Sequence, residues 1–274
     1  MSFSAFRVRT SLAGLLVALG VLTGLPGGTV SGRLTAQDAK TGTLKGSIVL
    51  DGAVPTLAPV VKMGDAAVKD AAICAVATIP DESLIVDPAT KGIANVFIYL
   101  AKAPEGYKYV QPAKPVEFDQ KACKFIPHAM IVPLRTKKVG GKEEPDVAVT
   151  VLSADNCLHN THCTTVQYQF NEAIKPMDRV GLSIPYPKTF RTPVPVTCDL
   201  HPWMKAYHLV VDHPFAAITD EKGNFEIPNL PAGKYEFVIF QESSGYIERS
   251  KAVEIKAGAD TKLDLKVPVA KFKK

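Results

Sequence analysis

CDLHPWM, residues 198–204, sets a thiol, an imidazole and a thioether at the first, fourth and seventh positions of one short stretch: Cys198, His201 and Met204. It lies between PVPVT at 193–197 and AYHLVV at 206–211, two runs of strand-like composition, and so reads as a tight loop offering all three groups to one centre. Thiolate and thioether are soft ligands and imidazole is borderline. Two histidines, one cysteine and a weak axial methionine form the signature of a copper site that cycles between Cu(I) and Cu(II). The loop itself supplies a single histidine. Upstream, DVAVTVLSADNCLHN at 146–160 alternates apolar residues as a strand does and runs into His159, the candidate for the second imidazole. Among the other histidines, His128 in IPHAM reads as a strand residue with a possible place near the metal, His162 as exposed, and His208 and His213 as structural or solvated. Zinc is the competing metal, but it rarely recruits methionine.

Outward from the loop, helical periodicity is scarce, and short runs rich in Val, Ile, Tyr and Phe alternate with Gly, Pro, Asn and Asp clusters. The expected fold is all-β. Strands are expected at 44–50, 94–100, 125–132, 146–152, 180–184, 193–197 and 206–211, and the Ala-rich piece at 65–77 is the best candidate for a short helix. Twenty-one prolines agree with many loops and sheet edges. The polar stretch 136–145 reads as a solvated loop.

Three segments together resemble those of cupredoxins. KFIPHAMIV at 124–132 is similar to the FxPxxIxV strand of that family, ADNCLHN at 154–160 to its NxDxxxHN segment, and CDLHPWM to its C-x-x-H-x-x-M ligand loop in the short, amicyanin-type spacing. The resemblance covers residues 105–212 and implies a Greek-key β-sandwich. It also implies one copper ion held by His159, Cys198 and His201 with Met204 axial, and Asn160 tying the two ligand-bearing loops together. One-electron transfer to a transient redox partner protein is the activity it suggests, with Pro202 and Trp203 as a docking rim; packing under the loop is the other reading of Trp203. Histidines on both sides of the cysteine would mark a multicopper oxidase, whereas Thr197 and Asp199 flank Cys198; a binuclear copper centre would need a second cysteine in the loop. Nothing resembles a nucleophile with its base or a phosphate-binding loop, so an enzyme acting alone is not expected.

Past Asp212 the texture changes. TDEKGNFEIPNLPAGKYEFVIF at 219–240 gives a turn, a strand, a Pro/Gly loop and an alternating strand with Tyr235, Phe237 and Ile239 on one face. More strands are expected at 251–256 and 263–267. This segment resembles the carboxypeptidase regulatory-like, transthyretin-type β-sandwich, in which strands similar to GTLKGSIVLDGAVP at 42–55 and ANVFIYL at 94–100 precede the hairpin. The resemblance implies a small sandwich split into 42–104 and 213–268 around the copper domain at 105–212; a plain tandem order is the alternative. Carbohydrate binding by this sandwich follows from fold analogy alone.

Arg7 and Arg9 precede an apolar run from Leu12 to Leu25 that breaks at Pro26, Gly27 and Gly28, the layout of a secretory signal peptide over residues 1–36. The run is shorter than the roughly 20 residues a spanning helix needs, so no stable membrane insertion is expected. An exported protein, periplasmic or extracellular, follows. Losing Arg7, Arg9 and Arg33 lowers the formal charge from +5 to +2, so the basic pI says little about nucleic acid, and no nucleic-acid partner is expected. In an oxidising compartment five cysteines leave an odd thiol. Cys157 with Cys163 and Cys74 with Cys123 are candidate pairs that the sequence alone does not fix, and Cys198 is the one left over.

Overall fold

The structure, a computed structural model, describes residues 40–272, so the signal segment expected at 1–36 lies outside the described residues. The chain is nearly all β, as its composition implies. Thr41–Asp51 (β1), Asn224–Pro231 (β15), Asp260–Lys262 (β18) and Leu265–Pro268 (β19) form one sheet, in which β1 runs antiparallel to β15 and parallel to β18 and β19. A second sheet orders Ala216–Ile218 (β14), Phe97–Leu100 (β2), Gly233–Gln241 (β16) and Gly245–Ile255 (β17). These two sheets share a core that includes Leu44, Ile48, Ile98, Ile227, Phe237 and Ile239.

The intervening chain pairs with itself. Val116–Lys121 (β3), Lys124–Ile126 (β4), Val147–Ser153 (β8) and Leu182–Pro185 (β11) make one sheet in the order β11-β8-β3-β4. Ala129–Pro133 (β5), His159–Thr165 (β9), Tyr168–Ile174 (β10), Val194–Thr197 (β12) and Lys205–Val211 (β13) make the other, in the order β10-β9-β12-β13-β5. Phe118, Phe125, Val149, Val151, Val196 and Val210 are among the side chains that fill the space between them.

Two elements are buried on both faces, and that joins the two cores. In β2 every residue is buried. Ile98 and Leu100 point into the first core, while Phe97 and Tyr99 meet Leu209 and Val211 of β13 together with Val238 and Phe240 of β16. The alternation expected in β16 therefore holds as far as Phe237 and is then lost, because beyond it both faces are covered.

Several expectations need correction. The helix expected at 65–77 shrinks to one turn, Ala71–Cys74 (α1). Asp70, just before it, has a left-handed φ of 53°, which ends helical geometry on that side, and Cys74 is bonded to Cys123. The single strand expected at 125–132 breaks into β4 and β5 around a cis Ile126–Pro127 bond. The stretch 136–145 is a hairpin, Thr136–Val139 (β6) with Lys142–Pro145 (β7). Gly140 and Gly141 both have positive φ, 58° and 83°, as a two-residue hairpin turn whose twist matches its strands requires.

His208 on β13 is fully buried, edge-on to Phe118, with Nδ1 2.9 Å from the Tyr186 hydroxyl and no partner for Nε2 among the described residues. Burial pushes its pKa down to about 3 from an ordinary 6.5. The unfolded chain takes up this proton below about pH 6.5 and the folded chain does not until about pH 3, so the contribution is full above pH 6.5 and is lost as pH falls through that window. His208→Gln, which cannot titrate, is expected to flatten the acid limb of the urea-unfolding midpoint between pH 6.5 and 3 relative to wild type; parallel limbs would contradict this.

Candidate metal centre

Cys198 follows β12 and Met204 precedes β13, so the antiparallel pairing of these strands closes the CDLHPWM loop. The Met204 amide donates to the His201 carbonyl at 2.9 Å, and the Cys198 amide to the Met204 carbonyl at 3.3 Å. His159 opens β9, the strand beside β12. It therefore begins a strand rather than ending β8, and the loop bearing Asp155 and Cys157 separates the two. Asn160 ties the loops together: its side-chain oxygen accepts from the Asp199 amide at 2.7 Å and lies 3.2 Å from the Cys198 sulfur.

His159, Cys198 and His201 come together in a buried cluster. The two Nδ1 atoms are 3.0 Å apart, and the Cys198 sulfur is 3.6 Å from that of His201 and 4.0 Å from that of His159. A triangle of those sides has a central point about 2.1 Å from every corner, close to the roughly 2.0–2.1 Å of a metal–imidazole bond and just inside the ~2.3 Å of a metal–thiolate bond. Met204 is buried at the end of the loop and lines a cleft that also contains Trp203, Phe125 and His128.

The outward nitrogens explain why these rings face one another. His159 Nε2 is 3.0 Å from a carboxylate oxygen of buried Asp155, and His201 Nε2 is 3.0 Å from one of Asp70. A carboxylate accepts only, so each Nε2 carries a proton and Nδ1 is the ring atom that faces inward, where it can give its lone pair to a metal or, with no metal bound, carry a proton toward the Cys198 sulfur. Two ring nitrogens and a sulfur thus converge on one point. Such a cluster calls for a cation at its centre.

The electrostatics agree. Burial alone raises the Cys198 thiol, but hydrogen bonds from His159, His201 and the Asn160 amide outweigh it, and the thiol is held below its ordinary value. Burial alone lowers His159, but Asp155 and Cys198 reverse that and raise it. Burial likewise opposes ionisation of Asp155, yet donors from His159 and from the Cys123 and Ala122 amides keep its carboxyl low. Cys157 is the contrast: burial and the neighbouring Asp155 push it up to about 11, so it is a thiol.

The remaining histidines lie elsewhere. His128 sits between Glu82 and Glu242, half-exposed His162 is 2.9 Å from Asp199, and His213 reaches the Leu100 carbonyl at 3.1 Å. Trp203 packs against the His201 ring at a centroid distance of 5.2 Å and donates to the Cys123 carbonyl at 3.1 Å, which favours the packing role over an exposed rim.

Of the two candidate cysteine pairs, Cys74 and Cys123 are bonded while Cys157 and Cys163 are free. The reason is strand geometry. Cys163 lies four residues into β9 from His159, about 13 Å along an extended strand, and a disulfide needs Cα atoms within roughly 7 Å. Cys163 instead packs in the core, 3.4 Å from the Tyr186 hydroxyl. Three free thiols, not one, are therefore present among the described residues.

No protein-family model matches this chain, and no curated protein does. Among solved structures, amicyanin from Paracoccus versutus is similar over 42% of this chain and 97% of its own, at 16% identity and a TM-score of 0.28. A reduced Cu(I) form of the P52G mutant of amicyanin is similar over 42% of this chain and 91% of its own, at 15% identity and a TM-score of 0.28. The copper-containing nitrite reductase of Thermus scotoductus SA-01 is similar over 41% of this chain, at 16% identity and a TM-score of 0.28, and only 25% of that enzyme is spanned.

Asp70 and Asp155 were not foreseen as part of the site. Asp155 stands four residues before His159 in ADNCLHN, a spacing that could have flagged it. Asp70 is 131 residues from His201, and no local pattern announces it.

Proposed function

We propose that the protein is an exported mononuclear copper protein that carries single electrons, with His159, Cys198 and His201 as ligands and Met204 as the axial one. The observation that carries this reading is the convergence of two imidazole Nδ1 atoms and the Cys198 sulfur on one buried point. Copper bound there supplies a one-electron Cu(I)/Cu(II) couple. The chain's own part is to orient and exclude. Asp155 and Asp70 fix the imidazole tautomers, Asn160 holds the two ligand loops at a set spacing, and burial of both rings keeps water from the centre. A buried donor set held from several directions changes little between redox states, which favours fast electron exchange with a transient partner protein.

Thioether beside thiolate and imidazole supports copper over zinc. The arrangement of strands supports the reading of 42–104 and 213–268 as one regulatory-like sandwich interrupted by a cupredoxin-like domain at 105–212, except that Val61, Cys74, Ala75 and Ile79 pack into the core of the latter. No helix among the described residues is long and apolar enough to cross a membrane.

The test is to add Cu(II) to the purified protein and record its visible absorption and electron spin resonance beside those of Cys198→Ser. An intense thiolate-to-copper band is expected in the wild type and none in the variant. A colourless wild type without stoichiometric copper sinks the reading, and a band that survives in the variant moves the thiolate to Cys157.

A further inference from the structure

Behind His159, on the side away from Cys198, lies a second group of sulfurs. The Sγ atoms of Cys74, Cys123 and Cys157 all lie within 4.8 Å of one another, and all three residues are buried. Two of them form the disulfide, and the third is a free thiol that the centre described above does not use. The Cys157 sulfur lies 3.5 Å from His159 Nε2, whose proton goes to the closer Asp155 carboxylate.

We propose that Cys74, Cys123 and Cys157 form a second copper site, for Cu(I), that opens when the Cys74–Cys123 disulfide is reduced. Three sulfurs each about 2.3 Å from one ion are at most roughly 4 Å apart, so the cluster needs only a small adjustment once the covalent bond is gone. Soft thiolates in an apolar, water-poor setting select Cu(I) over harder divalent ions. Val61, Ala75, Ile79 and Phe125 belong to the same buried cluster and supply that setting on one side, with Asp155 and His159 on the other. A dithiol reductant gives two electrons and two protons to the sulfur–sulfur bond, which becomes two thiols while the reductant becomes a disulfide. Cu(I) then displaces thiol protons as it binds. Access follows from where Cys74 sits: Gly64, Lys69 and Ala72 around it are exposed, so opening the disulfide frees an edge of the fold rather than its centre.

The site borrows no ligand from the first, so the two readings fail separately. Cys198→Ser protein, which lacks the first thiolate, is titrated anaerobically with Cu(I) against bicinchoninate, before and after reduction with a phosphine that is then removed. Tight uptake of one Cu(I) per chain is expected only after reduction, with affinity falling at least tenfold when Cys157→Ser is added. Equal uptake with the disulfide intact, or unchanged affinity without Cys157, overturns the proposal. If reduction unfolds the protein, Cu(I) is expected to restore its circular dichroism spectrum; failure to do so also overturns it.

Discussion

Asp155→Ala is expected to destabilise the protein by about 3–5 kcal/mol and to weaken metal binding roughly 10–100-fold. Asp155 is 5% exposed and accepts from three donors, the Ala122 amide at 2.6 Å, the Cys123 amide at 2.8 Å and His159 Nε2 at 3.0 Å. Truncation leaves all three without an acceptor where water cannot readily replace it, and each such loss is worth about 1–3 kcal/mol. It also frees the His159 ring to rotate or to change tautomer, so Nδ1 no longer aims at Cys198. Ala122 and Cys123 have positive φ, 54° and 51°, a conformation that Asp155 helps to hold. Denaturant unfolding of the disulfide-intact protein measures the first effect and competition with a chelator the second. Asp70→Ala is the internal control: its carboxylate sits equally close to His201 but is 35% exposed, so it should weaken the metal with little change in stability. Equal destabilisation by the two would mean that burial is not what distinguishes them.

The two carboxylates also show what a sequence can and cannot disclose about such a site. Cys198, His201 and Met204 were legible because one tight loop carries them, and His159 because an alternating strand leads up to its segment. Neither inference needed knowledge of distant chain. Asp70 reaches His201 from a distant segment that the Cys74–Cys123 disulfide ties to the fold, a pairing that the sequence left open.

Strands with one apolar face were equally legible, and β9 and β10 were not. HNTHCTT is polar at most positions, yet four of its seven residues are buried, because their partners are the side chains of the candidate site, hydrogen-bonded side chains and the core rather than alternating aliphatics. The helix expected at 65–77 failed for the opposite reason: alanine content promised propensity, and a disulfide and a left-handed Asp70 overrode it.

Phe97→Ala is expected to cost about 3–5 kcal/mol and to lower the unfolding midpoint of the whole described structure, including the metal centre, in one step. Phe97 is 1% exposed and faces away from the core of its own pair of sheets, into the layer with Leu209 and Val211 of β13. Hydrogen bonds ring that layer: the Tyr99 hydroxyl donates to the Arg191 carbonyl at 2.6 Å, the Thr192 and Tyr246 hydroxyls are 2.8 Å apart, and His213 Nε2 lies 3.1 Å from the Leu100 carbonyl. On its inner face β13 contributes Ala206 and Val210 to the core beneath the ligand loop, so a cavity opened at Phe97 lies one strand from the metal-bearing side. Were the two pairs of sheets independent, the variant would unfold in two steps, with loss of β-sheet circular dichroism preceding loss of bound copper. A seam of buried aromatics closed by side-chain hydrogen bonds argues for coupling: the energy lost at Phe97 is shared by both cores, and the two signals should fall together at a lower denaturant concentration than in the wild type.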